Sequence, residues 1–134
     1  MTKKGLISHV EIYVSDLTTT TKFWSWLLVS HLNYKIYQQW DKGISFILDD
    51  TYLVFVQTDQ EKLAFNYNRT YIGLNHLAFY MSSKHEIDDL RQELADQPYK
   101  ELYADRYPYA GGENYYALYF EDPDRIKVEV TAAE

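Results

Sequence analysis

Two histidines, His9 and His76, occupy the same position in two similar stretches of the chain. Ile7-Ser8-His9-Val10-Glu11-Ile12-Tyr13-Val14 aligns with Leu74-Asn75-His76-Leu77-Ala78-Phe79-Tyr80-Met81. Near the end of each half, Leu53-Val54-Phe55-Val56 aligns with Lys127-Val128-Glu129-Val130, so that one copy carries a late carboxylate and the other has Phe55 in its place. Two imidazoles and one carboxylate suit one divalent metal ion (Fe, Mn, Zn, Ni or Co), and three ligands leave positions open for water and substrate. Such a site supplies Lewis acidity to a small molecule that chelates through neighbouring oxygens. The plainer alternative, two polar strand residues and a solvated carboxylate, loses ground because three matched positions fall on inward strand faces.

The elements that must position these residues follow from periodicity. In the first strand Val10, Ile12 and Val14 point one way and His9, Glu11 and Tyr13 the other. Ser15-Asp16 caps a helix from about Thr18 to Leu28, where Phe23, Trp24, Leu27 and Leu28 share a face and the tryptophans act as core anchors. The segments 34–39, 44–48 and 52–57 read as three strands, which makes the first half β-α-β-β-β. A polar connector, Thr58–Gly73, leads to a strand over 75–81, then to a capping box at Ser83-Lys84-His85-Glu86 and a helix to about Asp96. Strands follow at about 100–105, 115–121 and 126–131. Ile126, Val128 and Val130 take the helix-facing side, which leaves Glu129 on the other. His76 follows His9 by 67 residues but Glu129 follows Phe55 by 74, so about seven residues are inserted in the loop Arg106–Asn114. Insertions of this kind tend to be functional.

Composition limits the function classes. A chain of 134 residues supports one domain, here about 6–58, a connector of about 58–73 and a second half of about 74–132. It contains no cysteine, which excludes disulfides, thiolate ligands and a cysteine nucleophile. The formal net charge of −7 disfavours nucleic acid and anionic membranes as partners, and an anionic substrate would need a local exception. No apolar run approaches the roughly 18 residues of a spanning helix, and no signal-peptide core follows Met1, so a cytoplasmic protein is expected.

The pattern from His9 to Leu17, the Gly-Leu-Asn-His at 73–76 and the ending Phe120-Glu121-Asp122-Pro123-Asp124-Arg125-Ile126-Lys127-Val128-Glu129-Val130 resemble the vicinal oxygen chelate superfamily. That group includes glyoxalases, fosfomycin-resistance enzymes, extradiol dioxygenases and bleomycin-resistance proteins. Arg125 departs from the glycine usual at its position. The resemblance implies an α+β fold of two tandem βαβββ modules forming a curled, cup-shaped mixed sheet with the helices outside. It implies His9, His76 and Glu129 as metal ligands, Phe55 at the lost fourth-ligand position, and a site built within one chain or across a homodimer.

Around that site, Glu11 is a candidate general base or a partner that orients a histidine. Gln57, two residues beyond Phe55, is a candidate to approach the metal or a bound water. Tyr13, Tyr80, Tyr115 and Tyr119 are candidate cup-lining residues, and Phe55 joins Gln57 among the substrate-binding candidates. In the inserted loop Arg106, Tyr107 and Tyr109 could close over a ligand, Arg106 meeting an anionic group. His31 and His85 read as surface residues. The leading function is a metal-dependent isomerase, lyase or dioxygenase acting on a small oxygen-rich substrate. The alternative is a non-catalytic protein of bleomycin-resistance type that sequesters a cationic or aromatic ligand in an acidic, aromatic groove.

Overall fold

The computed structural model describes residues 3–133. The chain is α+β and divides into two compact units, Met1–Asn66 and Tyr67–Glu134, each carrying one four-stranded mixed sheet and one main helix. The boundary falls inside the connector expected from its polar composition.

The first unit contains β1 (His9–Val14), α1 (Leu17–Trp24), β2 (Lys35–Trp40), β3 (Gly43–Leu48) and β4 (Thr51–Gln57), with sheet order β1-β4-β3-β2. β1 runs parallel to β4, and the other pairs are antiparallel. Asp16 accepts from the backbone N–H of Thr18 and of Thr19, which satisfies donors that a helix N-terminus otherwise leaves unpaired. α1 then widens into a π turn over Ser25–Val29, so the expected helix to Leu28 is present with a change of winding. Its buried face, Phe23, Trp24, Leu27 and Leu28, covers the sheet as the spacing predicts. Trp26 is half-buried and meets His31 edge-on at 5.3 Å, so His31 is less exposed than its sequence position implied.

The second unit repeats the plan with β5 (His76–Tyr80), α2 (Lys84–Leu94), β6 (Glu101–Leu102), β7 (Ala117–Glu121) and β8 (Lys127–Thr131), in order β5-β8-β7-β6. Ser83 accepts from the Glu86 N–H at 3.2 Å, as the capping pattern required. Ile87, Leu90 and Leu94 are buried where α2 packs on β7 and β8. β6 is shorter than expected. At Tyr103 the backbone enters the left-handed region (φ 58°) and the chain passes into a short 3-10 turn, Ala104–Arg106, which ends the strand. For a non-glycine residue that conformation costs on the order of 1–2 kcal/mol, so the surrounding contacts must hold it.

The hairpin between β7 and β8 is fixed by Asp122, whose Oδ1 accepts from the N–H groups of Asp124 and Ile126 at 2.9 Å each. Arg125 adopts φ 69° there, a conformation that glycine would take without strain. Arg69 of the connector ties down the same hairpin, donating to Glu121 at 2.6 Å and to the Arg125 carbonyl at 3.0 Å.

Candidate metal centre

Strand register decides which side chains share a face. In the second unit His76 pairs with Lys127, Ala78 with Glu129 and Tyr80 with Thr131. Across β7, Tyr119 pairs with Glu129 and Glu121 with Lys127. These residues line the sheet face opposite α2, while Leu77, Phe79, Val128 and Val130 face the helix, the division expected from alternation.

On that face Glu129 is buried, with 4% of its surface exposed. A buried carboxylate is costly unless paired and hydrogen-bonded. Here the Tyr115 hydroxyl donates to Oε2 in a short hydrogen bond, and His76 Nε2 lies 3.2 Å from Oε1. The same contact raises the Tyr115 phenol, with burial adding to the effect. Tyr119 is pushed up to about 12, first by burial and then by the Glu129 charge. Both phenols therefore remain protonated donors at neutral pH.

Asn75 orients His76. Its Nδ2 donates to the Arg69 carbonyl at 3.1 Å, which fixes the amide orientation, and its Oδ1 lies 2.7 Å from His76 Nδ1. Nδ1 must therefore carry a proton and donate. Nε2 points at a carboxylate oxygen. Two acceptors 3.2 Å apart attract only with a cation between them, either a proton or a metal ion. Adjacent donors on one metal, each roughly 2.0–2.2 Å from it, stand about 3.0–3.4 Å apart. The pair fits that spacing, and a partner that fixes the histidine tautomer is the usual companion of a metal-bound imidazole. Among the described residues, no three His, Cys, Asp or Glu side chains gather into a group that could hold a metal ion.

In the first unit His9 lies on the matching face of β1. Its ring stacks on Tyr52 at 4.6 Å with an interplanar angle of 9°, and Ser8 Oγ is 3.0 Å from Nδ1. Glu11 and Tyr13 share this face and are exposed.

Register also corrects two expectations. His9 pairs with Tyr52 and Glu11 with Val54, as His76 pairs with Lys127 and Ala78 with Glu129. Val54, rather than Phe55, is thus the counterpart of Glu129, and the inserted stretch is eight residues rather than seven. Phe55 faces the helix, fully buried, stacked on Trp24 at 4.8 Å and edge-on to Phe46 at 6.0 Å. Gln57 is on the same helix side: its Oε1 accepts from the Leu17 N–H at 2.8 Å and its Nε2 donates to the Ser15 carbonyl at 2.9 Å, clamping the start of α1. Neither residue lines the face that carries His9.

The inserted loop divides as well. Tyr107 donates to Asp88 on α2 at 2.5 Å, as does Tyr116, and Tyr109 packs edge-on against Tyr116 at 5.8 Å. Tyr107 and Tyr109 therefore belong to a group around Asp88 rather than to Glu129. Arg106 lies 5.1 Å from the centre of the Tyr103 ring. His85 is exposed, as expected. Sequence reading gave no role to Asn75, Tyr103 or Lys127. The position of Asn75 directly before His76 was the available signal for the first of these.

A duplicated βαβββ plan, with a histidine on the first strand of each copy and a carboxylate on the last strand of one, defines a class of small paired-module proteins. The chain belongs to the Glyoxalase/Bleomycin resistance protein/Dioxygenase superfamily, whose family profile matches residues 6–130. It is 49% identical over 124 residues to the uncharacterized Bacillus subtilis protein YqjT, a match that spans 92% of this chain and 96% of that one. A solved Bacillus halodurans protein named as a candidate glyoxalase is 46% identical, with a TM-score of 0.93 and 96% of each chain covered. The Listeria monocytogenes fosfomycin resistance protein FosX shares the fold at 23% identity, with a TM-score of 0.69 over 99% of this chain and 94% of that one. No helix among the described residues is long and apolar enough to cross a membrane.

Proposed function

We propose that the protein is a divalent-metal-dependent enzyme of isomerase, lyase or dioxygenase type, acting on a small oxygen-rich substrate, with His9, His76 and Glu129 as its metal-holding residues. The observation that carries this reading is His76 Nε2, oriented by Asn75 and 3.2 Å from an oxygen of the buried Glu129 carboxylate. A metal bound there would supply Lewis acidity toward neighbouring oxygens of the substrate.

The chain's own residues account for the rest. Asn75 holds the imidazole in one tautomer and one orientation. The Tyr115 hydroxyl donates to one oxygen of the Glu129 carboxylate, which leaves the other toward His76. Glu11, two residues beyond His9 on the same face, would serve as a proton acceptor or as a partner that orients a histidine. His9 is the third donor, supplied within one chain or from a second copy in a homodimer. A homodimer is consistent with the exposed apolar surface of β2, at Ile36, Tyr37 and Trp40.

The test is metal content by mass spectrometry on anaerobically purified protein, beside His9→Ala, His76→Ala and Glu129→Ala. About one equivalent in the wild type, lost in all three variants, is the expected result. Protein that takes up no metal after reconstitution would sink the enzyme reading and leave a ligand-binding protein on the same fold. Light scattering at a single monomer mass across micromolar concentrations would rule out the homodimer.

A further inference from the structure

Lys127 stands on the same sheet face as Glu129, two residues before it, and is the register partner of His76. At strand spacing this sets its Cα roughly 5 Å from that of His76 and roughly 7 Å from that of Glu129. The carboxylate best placed to neutralise it is Glu121, directly opposite on β7. That carboxylate is already engaged, by Arg69 at 2.6 Å and by Arg125 at 3.5 Å. Among the described residues Lys127 makes no ion pair.

Aromatic rings hold the ammonium instead. Nζ lies 5.5 Å from the centre of the Tyr103 ring and 5.7 Å from that of Tyr119, and is 3.4 Å from the Tyr103 hydroxyl. Such contacts orient a cation without cancelling its charge. Tyr103 reaches this position through its left-handed backbone, and its ring packs edge-on to Tyr119 at 5.4 Å. Beside Lys127, Glu121 is thus held by Arg69 and Arg125, and Arg106 stands over the Tyr103 ring.

We propose that Lys127, seated on Tyr103 and Tyr119, receives an oxyanion group of the ligand, so that the substrate class is a small carboxylate or phosphonate and not a cation. The substrate part of this statement rests on the metal-site reading above, whereas binding of the anion by Lys127 does not. A charge-assisted contact from an ammonium suits either oxyanion.

The experiment uses methylphosphonate, acetate and choline as probes, titrated into full-length protein in EDTA at low salt while the Lys127 and Tyr103 side-chain resonances are followed by NMR. Metal content is measured in parallel on the untreated samples. Methylphosphonate or acetate is expected to shift both residues in the wild type, and whichever binds more tightly identifies the preferred oxyanion. Lys127→Gln is expected to weaken that binding about tenfold and Lys127→Arg to keep it within about threefold, both with unchanged metal content. If the wild type binds no metal but the Lys127→Gln loss is seen, the anion site stands and the metal reading falls. Wild-type anion affinity in Lys127→Gln, no shift at Lys127 with either anion, or choline in place of the anions at the same resonances overturns the proposal, whatever the metal content. The wild-type shifts decide the matter even if Lys127→Gln fails to fold.

Discussion

The two sheets share one strand order and one register, yet they spend their matching positions differently. Where the second sheet sets Glu129 and Lys127 beside His76, the first sets Val54 and Tyr52 beside His9. Where Tyr119 stands across from Glu129, Ser45 stands across from Val54. One histidine therefore faces a buried carboxylate, and the other lies flat on an aromatic ring. Duplication preserved the scaffold and a first-strand imidazole in both halves, while the charged partners gathered in one. The first half offers a ligand; the second builds an environment for one.

If that division is right, substitutions at the end of β4 should act on folding and not on the site. Phe55→Ala, which empties space beneath Trp24, is expected to lower the unfolding free energy by about 3–5 kcal/mol in urea titrations while metal content stays as in the wild type. Unchanged stability with lost metal would mean that Phe55 belongs to the centre after all. Gln57→Ala removes the clamp at the start of α1 and should cost about 1 kcal/mol, again without loss of metal. The finest distinction lies at alkaline pH. Tyr119 has its folded value raised from 10 to about 12, so the stability it contributes is complete below pH 10 and is lost as pH rises toward 12. Phenolate absorbance of the metal-free protein should show a late-titrating tyrosine that is missing in Tyr119→Phe. A titration identical in the two proteins would place Tyr119 outside the buried group.

Most of the scaffold was legible in the sequence because its signals were periodic. Alternation marked β1 and β5, Asp16 and Ser83 announced the two helices, and Glu129 fell on the correct face because Val128 and Val130 flank it. The face of β4 was harder to read. Leu53, Val54, Phe55 and Val56 are all apolar, so the strand shows no alternation and a one-residue slip leaves its hydrophobic pattern unchanged. That slip exchanged Val54 for Phe55 and carried Gln57 to the wrong side. The path of the inserted loop was equally hidden, since no local spacing tells that Tyr103 turns left-handed or that Tyr107 folds back to Asp88. Lys127 lay in plain view within a quoted motif, but its importance depends on what Arg69 and Arg125 do to Glu121, a long-range fact.

Tyr115 and Tyr116 are neighbours whose hydroxyls grip opposite sides of one sheet, Tyr115 at Glu129 and Tyr116 at Asp88 on α2. One peptide unit thus joins the two faces of the layer. A ligand that draws Tyr115 off its carboxylate and shifts the backbone there would also shift Tyr116 and its hold on the helix behind. Occupancy of the inner face should then be audible on the outer one, as faster amide exchange along α2.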